Sequence, residues 1–403
     1  MTHPWSENLK RLLPEQSLLL PGSAHVAQKI RPVCIAAPGD IYEAVSIVNF
    51  AKTHRVPLVP FGNGTAQGIG RPPPKEALFL STRRLNSVVH YEPDDMVACM
   101  QAGITLREVQ ATLANRGQWL PLDGPGDATL GGMTAADRYG PLALGYGTLR
   151  DMVLGITIIN GDGVLRKCGG RVVKNVTGYA MDKLYIGSLG TLGLIVDVSF
   201  KVRPLPIARR EWLINPSNFG DSISLLRAVS AKALPLEMMC LYCVRGAQWR
   251  LKIQAAGTPT ELDRIGHEIG ALSAAVAENE CSTAAGELPS PPGFAAEENS
   301  TLLRYWCSAS KMEQVWTLLS PHVMQARLRP DGGLITLEIE APAAAEIAQK
   351  LTALEVNYRF ENASFPIENP FGPPRADWPL MKRIKDALDP QGIMNPGRFV
   401  GNL

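Results

Sequence analysis

Histidine is scarce in this 403-residue chain: six residues, His3, His25, His54, His90, His267 and His322, with no two close enough in sequence to make a metal-binding pair. Aromatic residues are also few, at 6%. Neither sign of charge dominates. Forty Lys and Arg against 38 Asp and Glu leave a net charge of +2, which argues against a nucleic-acid surface of the usual strongly basic kind. No apolar run approaches the roughly 18 residues of a membrane span. Met1 to Lys10 lack a basic segment leading into an apolar one, so no signal peptide is expected and the chain reads as cytoplasmic, or as held at a membrane through a partner. Seven cysteines, an odd number at scattered positions, do not make a disulfide framework or an iron–sulfur array. Cys240 and Cys243 form a C-x-x-C pair, but they sit in the apolar stretch Met238–Cys243 and read as buried, inert thiols.

Glycine, in contrast, is abundant and clustered. The chain is too long for one ordinary core, so two domains, or one domain with a cap, are expected. After a helical lead-in over residues 1–30, Val33–Ala36 reads as a strand and Asp40 as the N-cap of a helix over Ile41–Thr53. A second strand, Val56–Pro60, runs into a glycine-rich loop. Further strands are expected at Ala77–Leu80, Met96–Met100, Met152–Asn160 and Gly193–Val202, with a capped helix from Thr105 to Arg116. Beyond Pro206 the glycine density falls and helices alternate with strands. Leu225–Ala233, Glu261–Ala277 and Pro379–Leu388 read as helices, and 284–300 as a mobile surface insertion. No internal repeat is evident.

Three segments carry the chemistry. In the first, Pro60-Phe61-Gly62-Asn63-Gly64-Thr65-Ala66 continues to Gly70, and four glycines fall within nine residues where composition alone gives about one. Closely spaced glycines let successive backbone N–H groups converge on an anion, and a pyrophosphate is the natural guest. The loop has no Gly-Lys-Ser/Thr, and its strand–helix unit precedes the glycines, so it is neither a Walker A loop nor a dinucleotide fingerprint. The second segment runs from Pro121 through Thr129-Leu130-Gly131-Gly132 to Gly147, with seven glycines in residues 124–147. Small residues at Ala135 and Ala136 allow close approach to a flat ligand. The third contains Val173-Lys174-Asn175-Val176-Thr177-Gly178-Tyr179 and Gly187-Ser188-Leu189-Gly190-Thr191-Leu192-Gly193.

In this order and spacing the three segments resemble the FAD domain of the vanillyl-alcohol-oxidase (PCMH-type) superfamily. The phrase around Lys174–Tyr179 is similar to the FAD-binding subunits of bacterial glycolate oxidase, and Asp389–Phe399 resembles the family's closing D-P-x-G-x-x-N-P-G-R. The resemblance implies an α+β fold: an FAD-binding domain of two α+β subdomains over 31–206, a smaller α/β cap over 207–375, and a C-terminal segment, 376–403, returning to the FAD domain. It implies that Gly62, Asn63, Gly64 and Thr65 meet the pyrophosphate. Leu130, Gly131, Gly132, Gly140 and Gly147 line the flavin or its chain, Gly190 and Ile195 approach through backbone atoms, and Asn395 closes over the ring. Pro60, Phe61, Ala66 and Pro121 complete the implied set.

Several departures matter. The first loop has no His or Cys for covalent attachment, so non-covalent FAD is expected. Ala180 follows Tyr179 where the family usually has an acidic residue, with Asp182 close by. A catalytic H-x-G-D-G-N-x-H motif is absent. Only His322 stands near the right region, ahead of Arg327, Arg329 and Asp331-Gly332, and it reads first as an ordinary surface or helix-end histidine. No metal site and no catalytic residue are assigned.

The implied function is therefore an FAD-bearing subunit of a 2-hydroxy-acid (glycolate or lactate) oxidising complex, beside a second flavin subunit and an iron–sulfur subunit. Two alternatives stand beside it: a stand-alone dehydrogenase using Arg245, Arg327 or Arg329 for the substrate carboxylate, and a flavin-binding structural subunit.

Overall fold

The computed structural model describes residues 5–19, 32, 34–74, 76–171, 179–244, 248–273, 276–281, 300–308, 310–329, 334–361, 369–373 and 375–403. Three sheets organise it. In the first layer, helix α1 (Ser6–Leu12) and strand β1 (Leu18–Leu19) precede β2 (Cys34–Ala36), α2 (Ile41–His54), β3 (Leu58–Phe61) and β4 (Leu78–Ser81). The order is β1-β2-β4-β3; β2 and β3 both run parallel to β4, as a strand–helix–strand crossover requires. The Asp40 side chain accepts from the Glu43 N–H and starts α2; Arg55, left-handed at φ 52°, ends it.

The second layer holds β5 (Val88–Glu92), β6 (Val97–Gln101), α3 (Leu106–Ala114), β7 (Gln118–Trp119) and α4 (Leu130–Ala136). Single turns α5 (Ala143–Tyr146) and α6 (Leu149–Met152) lead into β8 (Val153–Asn160), β9 (Leu165–Gly169), α7 (Asp182–Tyr185), β10 (Gly193–Lys201) and β11 (Arg203–Pro204). The sheet is antiparallel in the order β5-β6-β10-β8-β9, and β7 pairs with β11 as a separate ribbon. Thr105 and Glu108 close the expected capping box on α3. The two layers share one core: Ala44, Ile47 and Val48 of α2 pack with Leu58 and Leu78 of the first sheet and Ile159 and Leu194 of the second.

The third layer is an eight-stranded antiparallel sheet. It contains β12 (Ala208–Ile214), α8 (Phe219–Ala231), β13 (Met238–Val244), β14 (Arg250–Gly257), α9 (Pro259–Gly270) and β15 (Val276–Glu280). Then come β16 (Ser300–Trp306), α10 (Met312–Leu319), β17 (Val323–Leu328), β18 (Leu334–Glu340), α11 (Ala344–Ala353) and β19 (Asn357–Glu361). Each half is one β-α-β-β-α-β unit, and the order β15-β12-β14-β13-β17-β18-β16-β19 joins the halves edge to edge through β13 and β17. The chain thus does contain a structural repeat. No sequence repeat signals it, because topology constrains only which positions are apolar.

Period-two alternation gives this sheet two different faces. Trp212, Leu241, Ile253, Leu303, Leu337 and Phe360 pack with the helices into the largest core cluster. Many of the intervening positions are polar, and several of these reach the first two layers. Arg209 lies 5.1 Å over Trp119, Arg329 lies 5.2 Å over Tyr139, and Arg138 pairs with Glu361 at 3.2 Å. Helix α12 (Trp378–Leu388) carries the chain back toward the first layer, where Leu58 bridges to Met394.

Two expectations change. The helix expected over Glu261–Ala277 stops at Gly270; Val276–Glu280 leaves it to pair with β12 as an edge strand. Strand β5, with no strong alternation, has no clear signal in the sequence. The insertion expected at 284–300 lies outside the described residues, apart from Ser300, which opens β16 and is buried. Cys240 and Cys243 lie on opposite faces of β13; burial raises their thiols to about 12 and about 11. No helix of the described residues is long and apolar enough to cross a membrane.

Candidate cofactor site

The chain leaves β3 at Phe61 and turns at once into the glycine loop. Gly62 must be glycine here, since a Cβ would stand 2.0 Å from Thr129 Oγ1. Thr129 is in turn the cap of α4, accepting from the Gly132 N–H. Loop and helix cap are therefore pressed together, and a cavity opens beside them. Its wall is built from residues 60–67, α4, residues 189–195 and the C-terminal pair Asn395 and Arg398.

Of the residues implied by the resemblance, Pro60, Phe61, Gly62, Asn63, Gly64, Thr65 and Ala66 line this cavity, as do Gly131, Gly132, Gly190, Ile195 and Asn395. Pro121, Leu130, Gly140 and Gly147 do not. Leu130 is committed to the core beneath α4, and Pro121 is buried in the segment that follows β7. A Cβ on Gly140 would meet Asp123 at 2.6 Å, and Gly147, at φ 86°, lies against Asp151. These glycines answer local packing rather than the cavity. Gln67, Thr82, Thr129, Leu189, Gly193, Leu194 and Arg398 also form the wall and were not singled out. Arg398 stood within the closing motif as its final cation; the others carry no chemical signal that sequence could offer.

The polarity of the wall can be read group by group. Among the described residues, the N–H groups of Gly62, Asn63, Gly64, Thr65 and Ala66 donate to no other residue. The first N–H groups of α4 are spent: Leu130 donates to Ile104 O, Gly131 to Ala102 O and Gly132 to Thr129. Any anion in the cavity is therefore met by the loop, not by the helix end. Two acceptors stand apart from these donors. Asn63 Nδ2 donates to Asp127 O at 2.7 Å, and Asn395 Nδ2 to Leu189 O at 2.7 Å. A carbonyl only accepts, so each amide has one orientation, and each Oδ1 is left buried without a partner. An unmet buried acceptor costs free energy until a donor arrives.

Residues 32–169 match the FAD binding domain family, and residues 373–399 match the C-terminal domain of FAD linked oxidases. These two segments are thus similar to FAD linked oxidases, and both matches support FAD as the cofactor. The glycolate oxidase subunit GlcE of Escherichia coli (strain K12) is 34% identical over 198 residues, 48% of this chain and 56% of that protein. GlcD of Bacillus subtilis (strain 168) is 28% identical over 207 residues, 51% of this chain and 44% of that protein. A D-lactate dehydrogenase of Archaeoglobus fulgidus is 30% identical over 205 residues, 51% and 46%. The chain spans about half the length of these relatives. The solved structure of alkyldihydroxyacetonephosphate synthase covers 98% of this chain, and 85% of its own, with a TM-score of 0.73 at 17% identity, which shows a shared fold.

The residues present fit FAD. Free loop N–H groups and the Arg398 guanidinium suit its phosphates, and the two unmet amide oxygens suit its hydroxyl or N–H donors. His322, the histidine singled out by sequence, sits in the turn before β17 and does not line the cavity.

Proposed function

We propose that this chain is the FAD-binding subunit of a complex oxidising glycolate or a related 2-hydroxy acid, holding FAD non-covalently and passing its electrons to partner subunits. The observation that carries the reading is the cavity itself. Anion-binding loop, small-residue helix and returning C-terminal segment line one space, in a chain about half of which is similar to GlcE. Bound FAD supplies the acceptor for a hydride from the hydroxyl-bearing carbon. The protein's part is to orient the dinucleotide and exclude water. Neither Cys nor His is among the described residues of the wall, which supports a non-covalent cofactor.

A second flavin subunit and an iron–sulfur subunit are the partners proposed. The sequence lacks the histidine motif for activating the substrate hydroxyl and lacks a cysteine array for a cluster, so both tasks fall to other chains. Glu361 holds Arg304 and Arg359 of the cap together with Arg138 from the segment after α4. The missing histidine motif supports partner-dependent turnover over a stand-alone dehydrogenase.

The test is an anaerobic visible spectrum of the purified chain before and after glycolate or D-lactate, alone and with its partners. A flavin spectrum that bleaches only with the partners present is the expected result. Bleaching by the isolated chain would establish a substrate site of its own. No flavin after reconstitution with FAD would remove the basis of the proposal.

A further inference from the structure

We propose that Arg398 is the counter-charge for the phosphate groups of the bound dinucleotide. The assignment rests on the FAD reading above. It starts from a charge with no counter-charge. Arg398 is 3% exposed, and it lines the cavity. Its Nη1 donates to Arg71 O at 2.6 Å, and its Nη2 to Gln67 O and, at 3.3 Å, to Gln67 Oε1. All three partners are neutral, and no carboxylate among the described residues pairs with it. Burial, with nothing opposing it, pulls its pKa down to about 10.

Other buried cations of the chain are treated differently. Lys385 meets Asp389 at 2.5 Å, Arg209 meets Glu237 at 2.7 Å, and Arg304 meets Glu361 at 3.2 Å. A buried cation left unpaired is costly unless an anion joins it. Arg398 is held in the wall that also carries the N–H groups of residues 62–66, which meet no partner among the described residues. The guanidinium is fixed to that loop at Gln67, and the Arg71 N–H returns a bond to Arg398 O at 3.2 Å. Cation and free N–H groups thus form one rigid anion-binding surface, assembled from residues more than 300 positions apart in sequence.

The test compares ligands that differ in phosphate. The full chain, freed of flavin, is titrated with FAD, ADP and riboflavin, as wild type and as Arg398→Met. The expected result is that FAD and ADP each bind about 30-fold more weakly to the variant, the loss of a charge-assisted contact, while riboflavin changes less than about twofold. The salt dependence of FAD binding should flatten in the variant. Equal weakening of FAD and riboflavin would mean that Arg398 only braces the loop, and the assignment would be wrong; so would unchanged binding of all three. Arg398→Lys keeps the charge and guards against a misfolded methionine variant. It should hold FAD within about threefold of wild type with the same salt slope, and equal losses for FAD and riboflavin in that variant overturn the assignment as well. If the wild type takes up neither FAD nor ADP, the cofactor reading itself falls, which is a separate outcome from a failure confined to Arg398.

Discussion

Asn395 Nδ2 donates to the carbonyl oxygen of Leu189 across 2.7 Å, joining residues 206 positions apart. Both are left-handed, at φ 43° and 54°. Leu189 pays a conformational cost that Asn395 largely avoids, because asparagine tolerates this region. The bond holds the third glycine segment and the C-terminal return in one wall, with Asn395 Oδ1 unmet and buried beside the cavity.

Asn395→Ala removes this bond and places an ill-suited residue at positive φ. We expect a loss of about 1–3 kcal/mol of stability. FAD affinity should fall about tenfold, since the unmet acceptor disappears too. Urea unfolding with and without FAD checks both, and the gap between the two curves should shrink in the variant.

Gly62→Ala drives a methyl group into Thr129, the cap of α4. The backbone must shift where its N–H groups converge. Flavin retention after desalting should drop by at least about tenfold, with a stability loss of about 1–3 kcal/mol. Retention equal to wild type would mean that the loop is not the anion site.

Glu361, at the end of β19, pairs Arg304 and Arg359 of its own sheet and Arg138 from the segment after α4. Burial opposes its ionisation, but Arg304, Arg359 and Arg138 outweigh it and hold its pKa near 2, below the ordinary 4.5. A depressed acid stabilises the folded state above its unfolded pKa and loses that contribution as pH falls. Wild-type stability should therefore decline between about pH 4.5 and 2 through this group. Glu361→Gln should lack that component and be about 3–5 kcal/mol less stable at pH 7, because three cations lose their anion. Thermal unfolding across pH reads both effects.

Lys385 bonds Asp389 at 2.5 Å, Thr191 O at 2.6 Å and Met394 O at 2.7 Å, all buried. It ties α12 to the wall segment. Lys385→Met leaves Asp389 without its cation, although Asp389 still accepts from the Ile393 and Met394 N–H groups. A loss of about 3–5 kcal/mol is expected. Hydrogen exchange should show the loosening concentrated in 189–195 and 389–398 rather than in the cap.

Much of the local structure was written in the sequence. Asp40 and Thr105 announce helix starts because capping is a contact over three residues. The glycines of 62–70 and 131–132 announce close backbone approach, and the order of the three segments carries the likeness to FAD linked oxidases. Local chemistry can be read locally. What tertiary structure alone decided is which of those glycines serve the cavity: Gly131 and Gly190 line it, while Gly140 and Gly147 serve Asp123 and Asp151. It also decided that Arg398 returns to Gln67 and Arg71, and that the charged face of an eight-stranded sheet meets the flavin domain through Glu361. Those facts depend on strand register and on chain ends that meet across the whole fold, and no spacing along the sequence encodes such a meeting.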